Sequence, residues 1–199
     1  MNTLRTSMSE SVDERREQIK RAALKVFAKQ GLTGAKMSSI AAEAGISQGL
    51  SYRYFSSKEE IFTMLVQEAL EEAQSAIQDL QNLPGSPKDK LKAFTQRMLD
   101  ESQKAHFMLI QVAMTSEDIP AQAKEWLTRY SAIDTIGQFV PLFKQGQEIG
   151  EFVEGEPQRL LFLYFSVVTG LMLQDTPASP GYWMKEVDML LKIIAKEET

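Results

Sequence analysis

Residues 40–59 read IAAEAGISQGLSYRYFSSKE, and the rest of the chain can be interpreted outward from them. Apolar residues follow helical spacing from Ile40 to Ala44, and Gly45 ends the pattern. Ser47 can then cap a second short helix, because its hydroxyl accepts from free N–H groups of the first turn. Two short helices separated by a tight glycine turn are the plan of a helix-turn-helix, so this stretch predicts a DNA-binding module.

The first residues of the second helix are the candidates for reading base edges. The Gln48 side chain can form a bidentate pair with adenine, and Leu50 can contact a thymine methyl group. Gly49 lets the backbone approach DNA closely because it has no side chain. We therefore expect the segment from Ser47 to Ser51 to face DNA.

Helical patterns continue on both sides of this module. An amphipathic helix ending at Gly31 is predicted from the apolar stripe of Ile19, Ala22, Ala23, Val26 and Phe27. Downstream, Ser57 to Glu60 resembles a capping box that opens a helix running to about residue 81. Further helices are predicted at 88–104, 106–115, 121–145, 157–174 and 181–196, and no segment alternates as a strand would.

The predicted fold is therefore all-α with two domains. Residues 1–57 form an N-terminal arm and a three-helix helix-turn-helix domain. Residues 58–199 form a larger domain of about nine helices.

Composition excludes several classes of protein. The net charge is −5, but residues 1–60 carry ten basic and seven acidic side chains, and the remainder is strongly acidic. This asymmetry has the sign expected if only the first 60 residues meet phosphate. The chain has no cysteine and one histidine, and no glycine-rich phosphate loop follows a strand, so we expect no enzyme, metal or cofactor. We expect a cytoplasmic protein that does not enter the membrane, because no apolar span or signal peptide is visible.

The run from Ile40 to Glu59, with the upstream stripe and Gly31, resembles the signature of the TetR family of bacterial transcription regulators. The resemblance implies that Tyr52 or Tyr54 donates to a phosphate and that Lys58 touches the DNA backbone. Ala35-Lys36 departs from the threonines frequent before the second helix, so Lys36 or Ser38 would replace their phosphate contact. The candidate DNA-binding residues are Lys36, Ser38, Ser47, Gln48, Gly49, Leu50, Ser51, Tyr52, Tyr54 and Lys58.

Two side-chain roles remain open near this module. Packing against the first helix is the alternative for both tyrosines, and a solvated helix start is the alternative for Lys58. Arg5, Arg15 and Arg16 either form an arm that tracks phosphates or are simply solvated.

The family resemblance also implies a dimer and an effector pocket. A helix that is apolar on nearly every face, such as 157–174, must be buried on every face, partly against a second subunit. The candidate dimerisation residues are Phe162, Phe165, Val168, Trp183, Val187, Leu190, Leu191 and Ile194. The candidate effector-binding residues are Met98, Phe107, Met108, Ile110, Met114, Trp126, Tyr130, Phe139 and Phe143. Any of the latter can equally be core, and His106 can contact ligand or cap a helix.

The sequence thus predicts a homodimeric repressor that binds a palindromic operator in double-stranded DNA. A small apolar or amphipathic effector would release it by shifting the population of domain arrangements, with the long helix from Lys58 as the lever. The alternatives are a ligand-independent DNA-binding regulator and a helical adaptor that binds protein. The identities of the effector and the operator are not predicted.

Overall fold

The computed structural model describes residues 3–174 and 182–196, with side chains at all of these except 3–11, 101, 102 and 132. Within these ranges the regular elements are α-helices, one 3-10 turn and one antiparallel bridge between Phe152 and Ala195. The prediction of an all-α chain is confirmed. In the described part of the chain, no helix is both long and apolar enough to span a bilayer.

The helices have the following bounds: α1 Thr3–Gly34, α2 Met37–Glu43, α3 Gln48–Ser51, α4 Lys58–Asp79, α5 Pro87–Met98, α6 Glu101–Thr115, α7 Ala121–Arg129, α8 Ala132–Gly137, α9 Val140–Glu148, α10 Pro157–Met172, α11 Tyr182–Lys185 and α12 Val187–Leu191. The 3-10 turn Leu80–Asn82 follows α4 directly.

The chain divides into two compact units, each made of two separate stretches of the sequence. The first unit comprises Met1–Ala69 and Ala105–Leu127, and the second comprises Leu70–Lys104 and Thr128–Thr199. These units are defined by packing. The functional boundary between residues 57 and 58 therefore stays a prediction.

The core of the first unit contains the apolar stripe predicted for α1. All five of its residues are buried, and the Phe27 ring packs edge-on against Phe62 of α4 with centroids 5.3 Å apart. Gly31 breaks α1 with a φ of 66°, a backbone conformation that glycine adopts without steric cost. The predicted stop at Gly31 is thus a break, after which the chain continues as a short helical turn to Gly34.

Helix α4 begins as the sequence predicted, although its cap is shared between two serines. The Ser57 hydroxyl accepts from the Glu60 N–H at 3.1 Å. The Glu60 carboxylate reaches back to Ser56 instead of Ser57, and accepts from both its N–H and its hydroxyl at 2.7 Å. The hydrogen bond from the Ser56 hydroxyl contributes most to lowering the pKa of Glu60, so this cap requires the ionised carboxylate.

The core of the second unit is aromatic. Phe139 lies 4.8 Å from the ring centroids of both Phe94 and Phe165, which brings α5 and α10 together. The same two helices are joined by a buried hydrogen bond of 2.8 Å between the hydroxyls of Thr95 and Tyr164. Burial raises the pKa of Tyr164 to about 12, so its hydroxyl remains protonated and can donate.

The prediction of one long helix over residues 121–145 is wrong, because the structure has three short helices there. Ser131 caps α8 by accepting from the Asp134 N–H at 3.2 Å, which starts a new helix after Arg129. Pro141 lies in the first turn of α9, where its missing N–H removes no hydrogen bond. The apolar period continued through both breaks, so periodicity alone could not reveal them.

The helix predicted for 181–196 is also shorter than expected. Helix α12 ends at Leu191, and the chain then pairs with the loop before α10. The Val153 N–H donates to the Ile194 carbonyl oxygen at 2.9 Å, and the Lys196 N–H donates to the Glu151 carbonyl oxygen at 2.9 Å. These two bonds satisfy backbone groups that a continued helix would have satisfied internally.

Gly146 makes room for the aromatic residue at the centre of this pairing. A Cβ atom at Gly146 would lie 2.5 Å from Cε2 of Phe152 and 3.2 Å from Cβ of Pro87. The Phe152 ring is buried and stacked on Phe143, with centroids 4.5 Å apart, so it cannot move without opening the core.

We therefore expect Gly146→Ala to lower the free energy of unfolding by about 1–3 kcal/mol, the usual cost of overpacking a core. Urea denaturation measures this change. Gly137→Ala is the matched control, because a Cβ there meets nothing within 4 Å and alanine favours the helix. Equal stability of the two variants would contradict this account of Gly146.

Candidate nucleic-acid interface

The turn between α2 and α3 has the tight geometry of a helix-turn-helix. The Ala44 N–H donates to the Ile40 carbonyl oxygen at 2.9 Å and closes α2. Gly45 has a φ of 67°, and the Ile46 N–H then donates to the Ala41 carbonyl oxygen at 3.0 Å. The glycine and these two bonds reverse the chain within three residues.

Helix α3 presents small and polar side chains at its start. The Ser47 hydroxyl accepts from the Leu50 N–H at 3.2 Å, which is the predicted cap. Ser47, Gln48 and Gly49 are exposed, and Leu50 is half-buried. A Cβ at Gly49 would meet no atom within 4 Å, so the protein's own packing does not require glycine at this position.

Ser51 does not belong to this surface, and we correct its assignment as a DNA-binding residue. Its side chain is fully buried, and its hydroxyl donates to the Gln48 carbonyl oxygen at 2.7 Å. A buried hydroxyl that is bonded to its own helix stabilises the last turn of α3. It cannot reach a base edge.

The two candidate tyrosines differ in exposure. Tyr52 is 50% exposed, whereas Tyr54 is half-buried. The carbonyl oxygen of Tyr54 accepts from Arg16 of α1 at 2.7 Å, so the backbone at this position is held in place. Tyr52 is therefore the better placed of the two for contact with a phosphate.

Lys58 makes contacts that the sequence did not predict. Its ammonium group donates to the carbonyl oxygens of Leu32 and Ala35, each at 2.8 Å. Two of the three donors of the lysine thus fix the start of α4 to the connection between α1 and α2. Only the third N–H of the Lys58 ammonium group remains for a phosphate, and that contact stays a prediction.

Several basic side chains of α1 and the helix-turn-helix are used inside the protein. Lys20 is buried and donates to Glu17 and Glu68, both at 2.7 Å. Burial acts to lower the pKa of Lys20, but the hydrogen bonds that its ammonium group donates to the two carboxylates outweigh burial, and the pKa is raised. Lys25 pairs with Glu43 at 3.2 Å. Lys20 therefore stabilises the first unit from within, whereas the Lys25–Glu43 pair lies on the surface and contributes little to stability.

Other cations remain on the surface. Lys36 and Arg53 are exposed, as is Ser38 in the first turn of α2. Lys36 occupies the N-cap position of α2 but makes no side-chain capping bond. The exposed positive charge therefore lies at both ends of the helix-turn-helix.

Arg16 and Gln18 were not among the residues expected to shape this surface. Arg16 was considered for a phosphate-tracking arm, and Gln18 was not considered at all. Both donate to backbone carbonyl oxygens, of Tyr54 and Ala44 respectively. A contact across 38 residues leaves no periodic signal in the sequence, so only the fold reveals it. The Arg5 side chain lies outside the described side chains.

The predicted effector-binding residues are divided between the two compact units. Phe107, Met108, Ile110, Met114 and Trp126 belong to the first unit, and Met98, Tyr130, Phe139 and Phe143 belong to the second. Phe139 and Phe143 are buried in the aromatic core described above, so we assign them a structural role. Nδ1 of His106 is buried, with no hydrogen-bond partner among the described residues.

Most of the predicted dimerisation residues are buried within their own subunit. These are Phe165, Val168, Val187, Leu190, Leu191 and Ile194. Trp183 is half-buried, and Phe162 is 50% exposed. The exposed apolar residues of α10 are Phe162, Leu163 and Val167. Of the residues predicted on α10, Phe165 and Val168 are thus covered by their own domain and Phe162 is not. Because this helix is apolar on nearly every face, the sequence cannot tell which face its own domain covers.

The described side chains do not assemble a metal site. Among them, no group of three histidine or acidic residues is placed to hold a metal ion. The geometry therefore points to the helix-turn-helix as the candidate site.

Similarity to known proteins supports this assignment. Residues 19–65 match the profile of the family described as "Bacterial regulatory proteins, tetR family". The transcriptional activator FasR of Mycolicibacterium smegmatis is 29% identical over 116 residues, covering 56% of this chain and 53% of that protein. The regulator YfiR of Bacillus subtilis is 25% identical over 83% of this chain and 82% of its own length. The chain thus spans about half the length of the first of these curated relatives.

The whole fold also has counterparts among solved structures. The structure of the ketosteroid transcriptional regulator KstR2 of Mycobacterium tuberculosis superposes with a TM-score of 0.69 and 21% identity, over 92% of this chain and 96% of that one. The tetR family comprises regulatory proteins and not enzymes, in agreement with the sequence prediction. Residues 19–65, which carry the helix-turn-helix, therefore match the tetR family of bacterial regulatory proteins, and the chain shares its fold with solved transcriptional regulators.

Proposed function

We propose that this chain represses transcription by binding a palindromic operator as a homodimer, and that a small apolar or amphipathic effector releases it. The observation that carries the DNA-binding part is the exposed start of α3. There Ser47, Gln48 and Gly49 face solvent on a helix-turn-helix whose other side is buried. Gln48 would read an adenine, and Gly49 would let the α3 backbone approach a phosphate.

The affinity for DNA would come mainly from a few exposed groups. Lys36 and Arg53 would neutralise phosphates, and Tyr52 would donate its hydroxyl to one. Two such cations in each of two subunits give a slope of log affinity against log salt of about −4.

The homodimer is proposed from the apolar face that α10 leaves uncovered. Phe162 and Leu163 are 50% and 52% exposed, and Val167 lies one turn further along the same face. Contiguous apolar side chains on the surface of a regulator are normally covered by a partner. A second copy of this chain is the partner proposed here, since a palindrome requires two recognition helices related by a twofold axis.

The effector part of the proposal is supported by α6 and α7. Phe107, Met108 and Trp126 are half-buried in the first unit, and Met114 is 46% exposed. Flexible thioethers beside aromatic rings suit an apolar ligand of variable shape. An effector that binds one conformation better than another would shift the population away from the DNA-binding form. FasR is described as an activator, so the sign of regulation is part of the proposal.

Two other functions follow from different parts of the chain. A ligand-independent regulator would use the same α3 surface without the effector. A protein-binding adaptor would use the apolar face of α10 and leave α3 without a role. Operator binding separates the adaptor from both regulators.

The proposed function is tested by selecting genomic fragments with the purified protein and titrating the enriched palindrome. We expect Gln48→Ala to lose about 1–3 kcal/mol of operator affinity, the usual value of a bidentate base contact. The salt slope should stay at about −4, because Gln48 carries no charge. Gln145→Ala, at an exposed position of α9, is the control. Failure to enrich any palindrome would sink the proposal, and an unchanged affinity would remove α3 as the recognition helix.

Gly49→Ala should separate stability from DNA binding. An added methyl group meets no protein atom, so alanine should raise the free energy of unfolding by about 0.4–1 kcal/mol through helix propensity and reduced chain entropy. The same methyl group should weaken operator binding by blocking backbone approach. Thermal unfolding and operator titration measure the two effects. If the variant binds DNA as well as the wild type, the open space at Gly49 does not serve DNA.

Phe162→Glu should dissociate the homodimer, because it places a charge in an apolar interface. Sedimentation velocity measures the shift toward monomer, and operator affinity should fall with it. Ile133→Glu is the matched control, since Ile133 is a comparably exposed apolar residue (59%) that lies on α8 and not on α10. A Phe162→Glu protein that sediments as the wild type does would exclude this face from the interface.

A further inference from the structure

One turn of α1 donates hydrogen bonds to backbone groups on both sides of α3. Nε2 of Gln18 donates to the carbonyl oxygen of Ala44 at 2.6 Å, ahead of the turn into α3. Nη1 of Arg16 donates to the carbonyl oxygen of Tyr54 at 2.7 Å, after α3 has ended. The donors are neighbours on one helix, whereas the acceptors lie on opposite sides of the recognition element.

The Arg16 anchor is reinforced by the residues around it. Its guanidinium carbon lies 4.4 Å from the ring centroid of Phe55, which is 1% exposed. The next residue, Ser56, is held from the other side by the Glu60 carboxylate of α4. The turn after α3 is therefore fixed to α1 by a hydrogen bond and a cation–π contact, and to α4 by a charge-assisted hydrogen bond.

Arg15 orients the side-chain amide of Gln18. Nη1 of Arg15 donates to Oε1 of Gln18 at 2.6 Å. Because the amide oxygen is thereby occupied, the amide nitrogen faces the Ala44 carbonyl oxygen. Arg15 and Arg16 thus donate hydrogen bonds within the protein itself. This accounts for two of the three arginines that were considered for a phosphate-tracking arm.

We propose that Arg16 and Gln18 are positioning residues for DNA binding, which fix the orientation of α3 and so the direction in which Gln48 points. They contact neither base nor phosphate in this role. The inference rests on the proposed operator binding and deepens it, because it assigns part of the sequence specificity to α1.

The reason is the small size of α3. A helix of four residues makes few hydrogen bonds of its own, so the elements that bond its ends set its orientation. A bidentate contact to a base depends steeply on distance and angle, whereas non-specific binding depends on net charge. Loss of an anchor should therefore weaken specific binding and leave non-specific binding unchanged.

The test uses Arg16→Lys and Gln18→Ala in the full chain, neither of which changes its net charge. Lysine keeps the charge but lacks the planar fork that can stack on Phe55 while donating to Tyr54. Binding is measured to the enriched palindromic duplex and to a random-sequence duplex of equal length over a range of salt. Arg21→Lys, at an exposed position of α1, is the matched control.

We expect each variant to bind the palindrome about tenfold more weakly than the wild type, because each loses one partly buried hydrogen bond to the backbone beside α3. The affinity for random duplex, the salt slope and the Arg21→Lys control should be unchanged. A residue with only a structural role would lower stability without altering the ratio of specific to non-specific affinity, so urea denaturation is run on the same samples.

Three results would overturn the inference. Wild-type affinity of both variants for the palindrome would show that the anchors do not matter. A parallel loss on both duplexes would indicate a general electrostatic or folding effect. Unchanged hydrogen exchange at the amides of residues 50–55 in both variants, measured without DNA, would show that α3 is not held by them. Failure of the proposed function is distinguishable, because the wild type itself would then select no palindrome.

Discussion

A recognition helix of four residues cannot satisfy its own backbone, and the arrangement of the first unit depends on this constraint. The Ser47 hydroxyl accepts at the start of α3, and the Ser51 hydroxyl bonds within it. Arg16 donates to the carbonyl oxygen of Tyr54 beyond its end. The two serine bonds are local to α3, whereas the Arg16 bond comes from α1, whose place is set by packing. The orientation of α3 therefore depends on the hydrogen bonds that fix the turn after it to α1 and α4.

The same constraint explains how the positive charge of the first unit is distributed. Lys20, Lys58 and Arg16 are held by carboxylates or carbonyl oxygens of the protein. Lys36 and Arg53 remain exposed on the helix-turn-helix. A count of charges along the sequence overstates the charge available to phosphate, because it cannot separate these two groups. Buried and partnered cations hold the module together, whereas Lys36 and Arg53 are exposed on the helix-turn-helix and Arg21 and Lys29 on α1.

Much of the first unit could be predicted from the sequence, because its signals are local. The glycine turn at Gly45, the Ser47 cap and the α1 stripe each depend on residues only a few positions apart. The second unit was predicted less well. The breaks before α8 and α9 do not interrupt the apolar period, so a single long helix was expected there.

The faces of α10 and the partners of Arg16 could not be predicted for a different reason. On a helix that is apolar almost all round, burial is decided by the neighbouring helices and not by the pattern. The hydrogen bond from Arg16 to Tyr54 joins positions 38 residues apart and involves a backbone atom, which carries no residue-type signal. Ser51 was assigned to the DNA surface because it shares α3 with Gln48 and Gly49, which are exposed, whereas Ser51 is buried.

The bridge between Phe152 and Ala195 has a consequence for the biosynthesis of the protein. The loop before α10 can pair only after the segment 194–196, which follows α12, has left the ribosome. Until then Phe152 lacks its cover and α10 lacks α12, so apolar surface of the second unit stays accessible late in translation. The first 69 residues lie ahead of that point, although their unit also needs residues 105–127. The second unit can therefore complete its backbone pairing only after residues 194–196 have been synthesised.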